Sequence, residues 1–167
     1  MTARYQIASR PAHPWLALAV WIGVCLAAGG LGSFFTFEAV RTWYPTLQKP
    51  AWNPPAWVFG PVWTTLYVLM GTAAWRVWCR KSQVEVRPAL RTFGVQLALN
   101  AAWSGLFFGM HAPGWAFLEL LFLWAALLAT VLQFRRLDGP SAWLLAPYLA
   151  WVTFAGVLNF TVWRLNG

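Results

Sequence analysis

The sequence predicts an all-α membrane protein, a bundle of five transmembrane helices with a long structured first loop. Of its 167 residues, 60% are hydrophobic and only 10% are charged, with 14 Trp and 12 Phe, a composition typical of membrane proteins. Its apolar runs reach the roughly 20 residues that a helix needs to cross a bilayer. Because these runs are apolar on every face and do not alternate, they indicate helices and not the strands of a barrel.

The apolar runs divide the chain into two predicted regions. Residues 1–14 form an N-terminal arm, and residues 15–167 form the five-helix domain. The first span lacks a small-residue cleavage site, so we interpret it as a retained helix and not as a signal peptide. The predicted spans are about Trp15–Phe37, Trp57–Cys79, Leu90–Met110, Gly114–Phe134 and Ala142–Trp163.

The net charge of +8 indicates orientation and not a nucleic-acid partner, because the basic residues gather at the ends of spans. The N-terminal arm, the 2–3 loop and the 4–5 loop share most of them. The opposite face has only Arg41, Lys49 and Arg164. By the positive-inside rule the first face is cytoplasmic. The first loop and the C-terminus then lie on the other side, and a bacterial cell envelope is favoured over the mitochondrial outer membrane.

The first loop, Trp43–Trp63, reads WYPTLQKPAWNPPAWVFGPVW. Prolines at 50, 54, 55 and 61 fix φ and remove backbone donors, so we expect no regular helix until Pro61 enters the first turn of the next one. Two interpretations of its aromatic residues stay open. They form a rigid cover over a binding site, or they form the belt that Trp and Tyr make at a membrane interface.

Polar and small side chains within the spans indicate contacts inside the bundle. Gln96 and Asn100 lie four residues apart on one helix face and need partners in hydrocarbon; helix-to-helix bonding is favoured for Gln96, whereas for Asn100 a ligand contact is equally supported. Glu119 is expected to point into the bundle. A stripe of small residues, Ala101, Gly105 and Gly109, is a candidate homodimer face.

Conventional catalytic chemistry is not predicted. The chain has two histidines and four carboxylates, and no Ser/His/Asp, Walker, HExxH or CxxC signature. We therefore expect neither a metal site nor a required cofactor, and His111 is interpreted as a solvated turn residue, with axial haem ligation as the minor alternative. Abundant aromatic surface in a membrane suits a large, flat, apolar ligand with a polar edge, such as a tetrapyrrole, a sterol or a planar drug. Lys49, Asn53 or Asn100 would meet its polar groups.

Four segments carry a resemblance to a known family. WYPTLQKPAWNPPAWVFGPVWTTLY, QLALNAAWSGLFFG, GWAFLELL and PYLAWVTFAGVLNFTVWRLN resemble the tryptophan-rich sensory protein and translocator protein family (TspO/MBR), once called the peripheral benzodiazepine receptor. The likeness covers about residues 15–166. It implies a five-helix membrane protein, commonly dimeric, that binds porphyrins such as protoporphyrin IX and, in many members, sterols and benzodiazepine-type ligands.

The resemblance also implies roles for individual residues. Light-dependent porphyrin breakdown in the family implicates a loop Tyr and a fifth-helix Trp, which match Tyr44 and Trp151. Phe160 stands where the cholesterol-recognition pattern of animal members has Tyr, which argues against high-affinity sterol binding. The ligand-binding positions that the resemblance implies are Trp63, Asn100, Trp103, Trp115 and Ala155. We add Trp52, Asn53 and Tyr148 as further candidate ligand-binding residues.

Three functions follow as hypotheses. The first is a membrane-embedded tetrapyrrole-binding protein acting as sensor, scavenger or regulator, in which light-dependent porphyrin breakdown is an unusual activity. The second is a carrier that moves sterol or porphyrin across the membrane. The third is a partner-binding membrane protein whose aromatic residues are only an interfacial belt.

Overall fold

The computed structural model describes residues 14–167, which are almost entirely helical. The five predicted helices are confirmed. The predicted arm lies outside the described residues except for Pro14, which begins the first helix. The helices are α1 (Pro14–Thr42), α2 (Ala56–Trp78), α3 (Arg87–Ser104, continued by a π-helical turn at Gly105–Gly109), α4 (Pro113–Leu137) and α5 (Gly139–Asn166).

Among the described residues, α1, α4 and α5 are long and apolar enough to cross a membrane by length and composition. Helices α2 and α3 fall outside that group. Arg76 lies in the last turn of α2 and Arg80 lies two residues after its end, whereas Arg87 and Arg91 lie at the start of α3.

The structure corrects the predicted ends of the first loop. Helix α1 continues to Thr42, past the apolar run that was expected to end at Phe37. Helix α2 begins at Ala56, so Pro61 lies in its second turn and not its first. A proline there costs little, because the carbonyl that loses its donor belongs to Trp57, near the exposed start of the helix. The non-helical part of the loop, residues 43–55, is called the lid below.

Tight packing holds one end of the bundle, called the basic end and marked by Arg76, Arg80, Arg135 and Arg136. Here Gly71 of α2 lies against the backbone of Ile22 in α1, where any β-carbon would clash. Phe93 of α3 stacks on Phe134 of α4 with ring centroids 5.9 Å apart. Small residues let α1 and α2 approach closely, and aromatic rings fill the space between α3 and α4.

An ion-pair cluster joins α2 to the turn between α4 and α5. Asp138 is 4% exposed and accepts hydrogen bonds from Arg76 Nε and Arg80 Nη2, both at 2.8 Å. It also caps α5 by accepting from the backbone N–H and the hydroxyl of Ser141. Burial alone raises the pKa of the Asp138 carboxyl, but the hydrogen bonds from Arg76, Ser141 and Arg80 outweigh it and hold that pKa well below its usual range.

Candidate ligand-binding site

A cavity of about 620 Å³ opens at the lid end of the bundle. Helices α1, α2, α3 and α5 form its walls, and Tyr44 contributes from the lid. This volume lies in the range of sites that take drug-sized ligands. The aromatic side chains that line it are Phe37, Tyr44, Phe59, Trp63, Tyr67, Trp103, Phe107, Phe108 and Trp151.

Two tryptophans form a corner in the cavity wall. The rings of Trp63 and Trp151 are 6.5 Å apart and nearly perpendicular, at 87°. Phe59 packs edge-on against Trp151 at 5.9 Å. A flat ligand that stacks on one indole would therefore meet the edge of the other, an arrangement that aromatic rings favour.

A buried hydrogen-bond chain fixes the base of this corner. Tyr67 donates to Asn100 Oδ1 at 2.6 Å, and Asn100 Nδ2 donates to Tyr148 at 2.9 Å. Trp63 stacks on the Tyr67 ring at 5.5 Å. The chain links α2, α3 and α5, so Asn100 bonds helices together, while its side chain also lines the cavity.

Gly29 of α1 is required for this arrangement. The Tyr67 ring lies directly against the Gly29 backbone, where a β-carbon would overlap it. A methyl group added at the adjacent Gly30 would meet nothing within 4 Å, because Gly30 borders the open cavity. The two neighbouring glycines therefore have different roles: Gly29 allows the Tyr67 ring to pack against the α1 backbone, and Gly30 forms part of the cavity wall.

The π-helical turn at the end of α3 brings two adjacent phenylalanines to the cavity. The N–H of Met110 donates to the Gly105 carbonyl at 2.8 Å, a bond that spans five residues. Phe107 and Phe108 both line the cavity as a result. Asn159 of α5 fixes the region by accepting from Trp103 Nε1 at 2.9 Å and donating to the Pro113 carbonyl at 2.8 Å.

Side-chain bonds hold the lid in place. Tyr44 donates to Asn53 Oδ1 at 2.8 Å. Lys49 Nζ donates to the carbonyls of Tyr44 and Leu47 at 2.7 Å each, so its charge stabilises the lid backbone. Burial raises the pKa of the Tyr44 hydroxyl, and its bond to Asn53 acts in the opposite direction. Asn166 at the end of α5 exchanges two hydrogen bonds with the backbone of Gln48.

Comparison with known proteins identifies the family. The model of the TspO/MBR family matches residues 21–164. This chain belongs to that family. It is 47% identical to the tryptophan-rich protein TspO of Chlorobaculum tepidum over 155 residues, covering 90% of this chain and 96% of that one. It is 40% identical to the translocator protein of Ovis aries, with 93% of each chain covered, and 42% identical to protein CrtK of Rhodobacter capsulatus, with 89% and 91% covered.

The cavity brings together six of the positions inferred from the TspO/MBR resemblance. They are Tyr44, Trp63, Asn100, Trp103, Trp151 and Ala155. Tyr148 is fully buried behind the wall, where it accepts from Asn100 and packs edge-on against Trp63 at 6.1 Å. Asn53 acts through Tyr44.

Two tryptophans predicted as ligand-binding residues lie apart from the cavity wall. Trp52 is 48% exposed and packs its edge against Phe154 at 5.9 Å. Trp115 is 68% exposed at the start of α4. Their exposure is typical of tryptophans at a membrane interface. Phe160 also lies outside the cavity wall and packs on Phe117 at the outer surface of α4 and α5.

Several site residues had not been assigned to the site from the sequence. Phe59, Phe107, Phe108 and Arg41 all line the cavity. The phenylalanines gave no signal because apolar runs contain many of them, and the π-helical turn that orients two of them breaks the helical period. His111 stacks on Trp43 with centroids 4.3 Å apart and is not part of the cavity wall.

The small-residue stripe in α3 lies beside α1. The nearest side chain to Gly109 is Phe35 of α1, which also comes within 4.0 Å of a β-carbon position at Gly105. A second molecule that docked on Ala101, Gly105 and Gly109 would therefore also meet α1.

Proposed function

We propose that this protein is a membrane-embedded tetrapyrrole-binding protein that acts as a sensor, scavenger or regulator, with a ligand of the protoporphyrin IX type. The observation that carries the proposal is the perpendicular corner of Trp63 and Trp151 in a cavity of about 620 Å³. Membership of the TspO/MBR family supports it, since relatives include proteins named tryptophan-rich sensory protein and translocator protein. A sensory or transport role in a membrane is the coarser statement that these relatives support.

A binding titration tests the proposal. Protoporphyrin IX is added in the dark to the detergent-solubilised protein, and tryptophan quenching is followed together with the porphyrin absorption band. We expect saturable binding that weakens about tenfold or more in Trp63→Ala, because stacked aromatic surface is lost. Trp115→Ala removes the same side chain outside the cavity and should bind like the wild type. Weak quenching that does not saturate and ignores both changes would favour the interfacial belt.

Light-dependent breakdown of the bound porphyrin is a further part of the proposal. Tyr44 and Trp151 both line the cavity, so a porphyrin bound there would lie close to both side chains. Oxidants that the excited porphyrin generates, or an electron transferred from the Trp151 indole, would then have only a short distance to cross. Trp151→Phe keeps an aromatic ring and should abolish bleaching with little loss of binding. Trp143→Phe, at an exposed position in the first turns of α5, is the control. Unchanged bleaching in Trp151→Phe would overturn the assignment.

We further propose that all five helices span the membrane, with the basic end in the cytoplasm and the lid on the opposite side. Helix α2 packs against α1 and α5, and helix α3 packs against α4 and α1. Basic residues gather at one end. A bacterial cell envelope suits this orientation. Cysteine labelling with a membrane-impermeant reagent at lid and basic-end positions tests it, and labelling of both ends in intact cells would contradict it.

Homodimer formation is proposed through Ala101, Gly105 and Gly109 together with Phe35 of α1. Small residues allow close approach of helices in lipid. Cross-linking through Ala101→Cys in membranes should trap a dimer. A variant with cysteine at Trp143 should not, and equal cross-linking of the two would count against this face.

The second candidate is a carrier for sterol or porphyrin. The name translocator protein among the relatives favours it. Counterflow of labelled protoporphyrin IX into vesicles that contain the protein, absent from empty vesicles, would support the carrier. Saturable binding without counterflow would favour the sensor or scavenger.

A further inference from the structure

Arg41 carries the only formal charge among the described residues that line the cavity. It lies in the last turn of α1, beside the lid, with Phe37 and Val40 on the same wall. Its guanidinium lies 4.1 Å from the centroid of the Phe37 ring. A guanidinium that stacks through its face keeps its N–H edges available for a ligand.

The other cationic groups at this end do not compete for that position. The Nζ of Lys49 donates to three lid carbonyls, those of Tyr44, Leu47 and Pro45. Arg164 lies in the last turn of α5 and is not part of the cavity wall. Within the described residues, no carboxylate forms an ion pair with Arg41.

Five of the six hydroxyl groups on the cavity wall already have acceptors, and the sixth, that of Ser104, is a neutral donor. Ser33, Thr36 and Thr64 each donate to the carbonyl four residues earlier, at 2.9 Å. Tyr44 and Tyr67 donate to Asn53 and Asn100. Arg41 therefore supplies the charged donors to anything bound near the lid, and a planar carboxylate matches its fork of N–H groups.

We infer that Arg41 is a specificity-determining residue that selects ligands with a free carboxylate at the lid end of the cavity. The inference rests on the proposed function and narrows it. The flat apolar body of the ligand lies on Trp63 and Trp151, and its acidic side chain points towards Arg41. Tetrapyrroles with free acid groups are then preferred over their esters and over neutral sterols, because a neutral edge leaves the guanidinium without its anion.

Two porphyrins and three proteins test the inference. Protoporphyrin IX and its dimethyl ester are titrated in the dark into the full chain, into Arg41→Gln and into Arg164→Gln. We expect the wild type to bind the acid roughly tenfold more tightly than the ester. Arg41→Gln should lose that preference by weakening the acid alone, whereas Arg164→Gln should keep it. Partition of the two porphyrins into micelles differs, but it cancels when the same pair is compared between variants.

The outcomes separate the inference from the proposed function. If both porphyrins bind saturably and Arg41→Gln keeps the preference for the acid, the inference is overturned and the proposed function stands. If Arg41→Gln weakens the binding of acid and ester equally, Arg41 shapes the cavity wall without recognising the carboxylate, and the inference is also overturned. Failure of both porphyrins to bind the wild type would overturn the proposed function and the inference together.

Discussion

The two ends of the bundle use the same helices in opposite ways. At the basic end, Gly71 of α2 touches the backbone of α1. About three turns away in the same helix, Gly60 faces open space and lines the cavity together with Gly30 of α1. The helices thus diverge from backbone contact to a ligand-sized space. Packing at one end supplies stability, and its absence at the other supplies the binding site.

The largest expected effect is on the basic end. Asp138→Asn removes the partner of Arg76 and Arg80 and weakens the cap of α5. We expect a loss of about 2–4 kcal/mol in the free energy of unfolding, measured by denaturation in detergent. The folded fraction should still bind protoporphyrin IX with near wild-type affinity. Glu85→Gln, at an exposed acid in the same face of the molecule, is the control, and equal losses in the two variants would contradict this account.

The same carboxyl predicts a pH dependence. The pKa of Asp138 is lowered in the folded protein, so its contribution is complete above the unfolded pKa, about 3.9, and is lost as the pH falls through the folded value. The stability difference between wild type and Asp138→Asn should therefore stay constant from about pH 8 to 5 and narrow only below about pH 4. A difference that already narrows between pH 7 and 6 would assign the effect to another group.

A smaller effect is expected where the two ends meet. Gly29→Ala pushes on the Tyr67 ring and disturbs its bond to Asn100, so we expect a loss of about 1–3 kcal/mol in stability and weaker porphyrin binding. Gly30→Ala adds the same methyl group in open space and should be close to neutral for stability. If the two variants have the same stability and porphyrin affinity, the close contact of Tyr67 with the Gly29 backbone does not hold the cavity wall in place.

The smallest effect is expected in the lid. Tyr44→Phe removes one hydrogen bond, to Asn53, and keeps the ring in the cavity wall. We expect a loss of about 1 kcal/mol or less in the free energy of porphyrin binding. It should be seen as faster dissociation of bound porphyrin in stopped-flow displacement, with unchanged thermal stability. Asn53→Ala removes the acceptor of the same bond and also the donation from Asn53 Nδ2 to the Pro54 carbonyl at 3.1 Å, so it should speed dissociation at least as much. Slower dissociation from Asn53→Ala than from Tyr44→Phe would argue against a role of the Tyr44–Asn53 bond in holding the lid.

The sequence predicted the five helices because each coincides with a long, mostly apolar run. It missed the end of α1 because Glu38 and Arg41 lower the hydropathy of a segment that is still helical. The sequence placed Pro61 in the first turn of α2, whereas it lies in the second turn because the helix already begins directly after Pro55. Hydropathy locates spans, whereas backbone chemistry locates helix ends.

Residue chemistry alone indicated a cavity residue only where its type is unusual in a membrane, whereas the family resemblance supplied Tyr44, Trp63, Trp103, Trp151 and Ala155. Asn100 was conspicuous, but its partners Tyr67 and Tyr148 come from other helices, and no spacing rule reveals them. Gln96 carries the same amide one turn earlier, yet its side chain is buried without a hydrogen-bond partner among the described residues. Glu119 has both carboxylate oxygens buried, which agrees with its expected inward direction. Asp138 and Arg76, 62 residues apart, could not be paired from sequence at all.

The most direct test of the account is to fill the cavity. Ala155→Trp adds a large ring to the cavity wall from α5, whereas Ala150→Trp adds the same ring to the same helix outside that wall. In a dark titration with protoporphyrin IX, we expect Ala155→Trp to lose saturable binding with little change in thermal stability, and Ala150→Trp to bind like the wild type. Undiminished binding by Ala155→Trp would place the porphyrin on the outer aromatic surface and contradict the account.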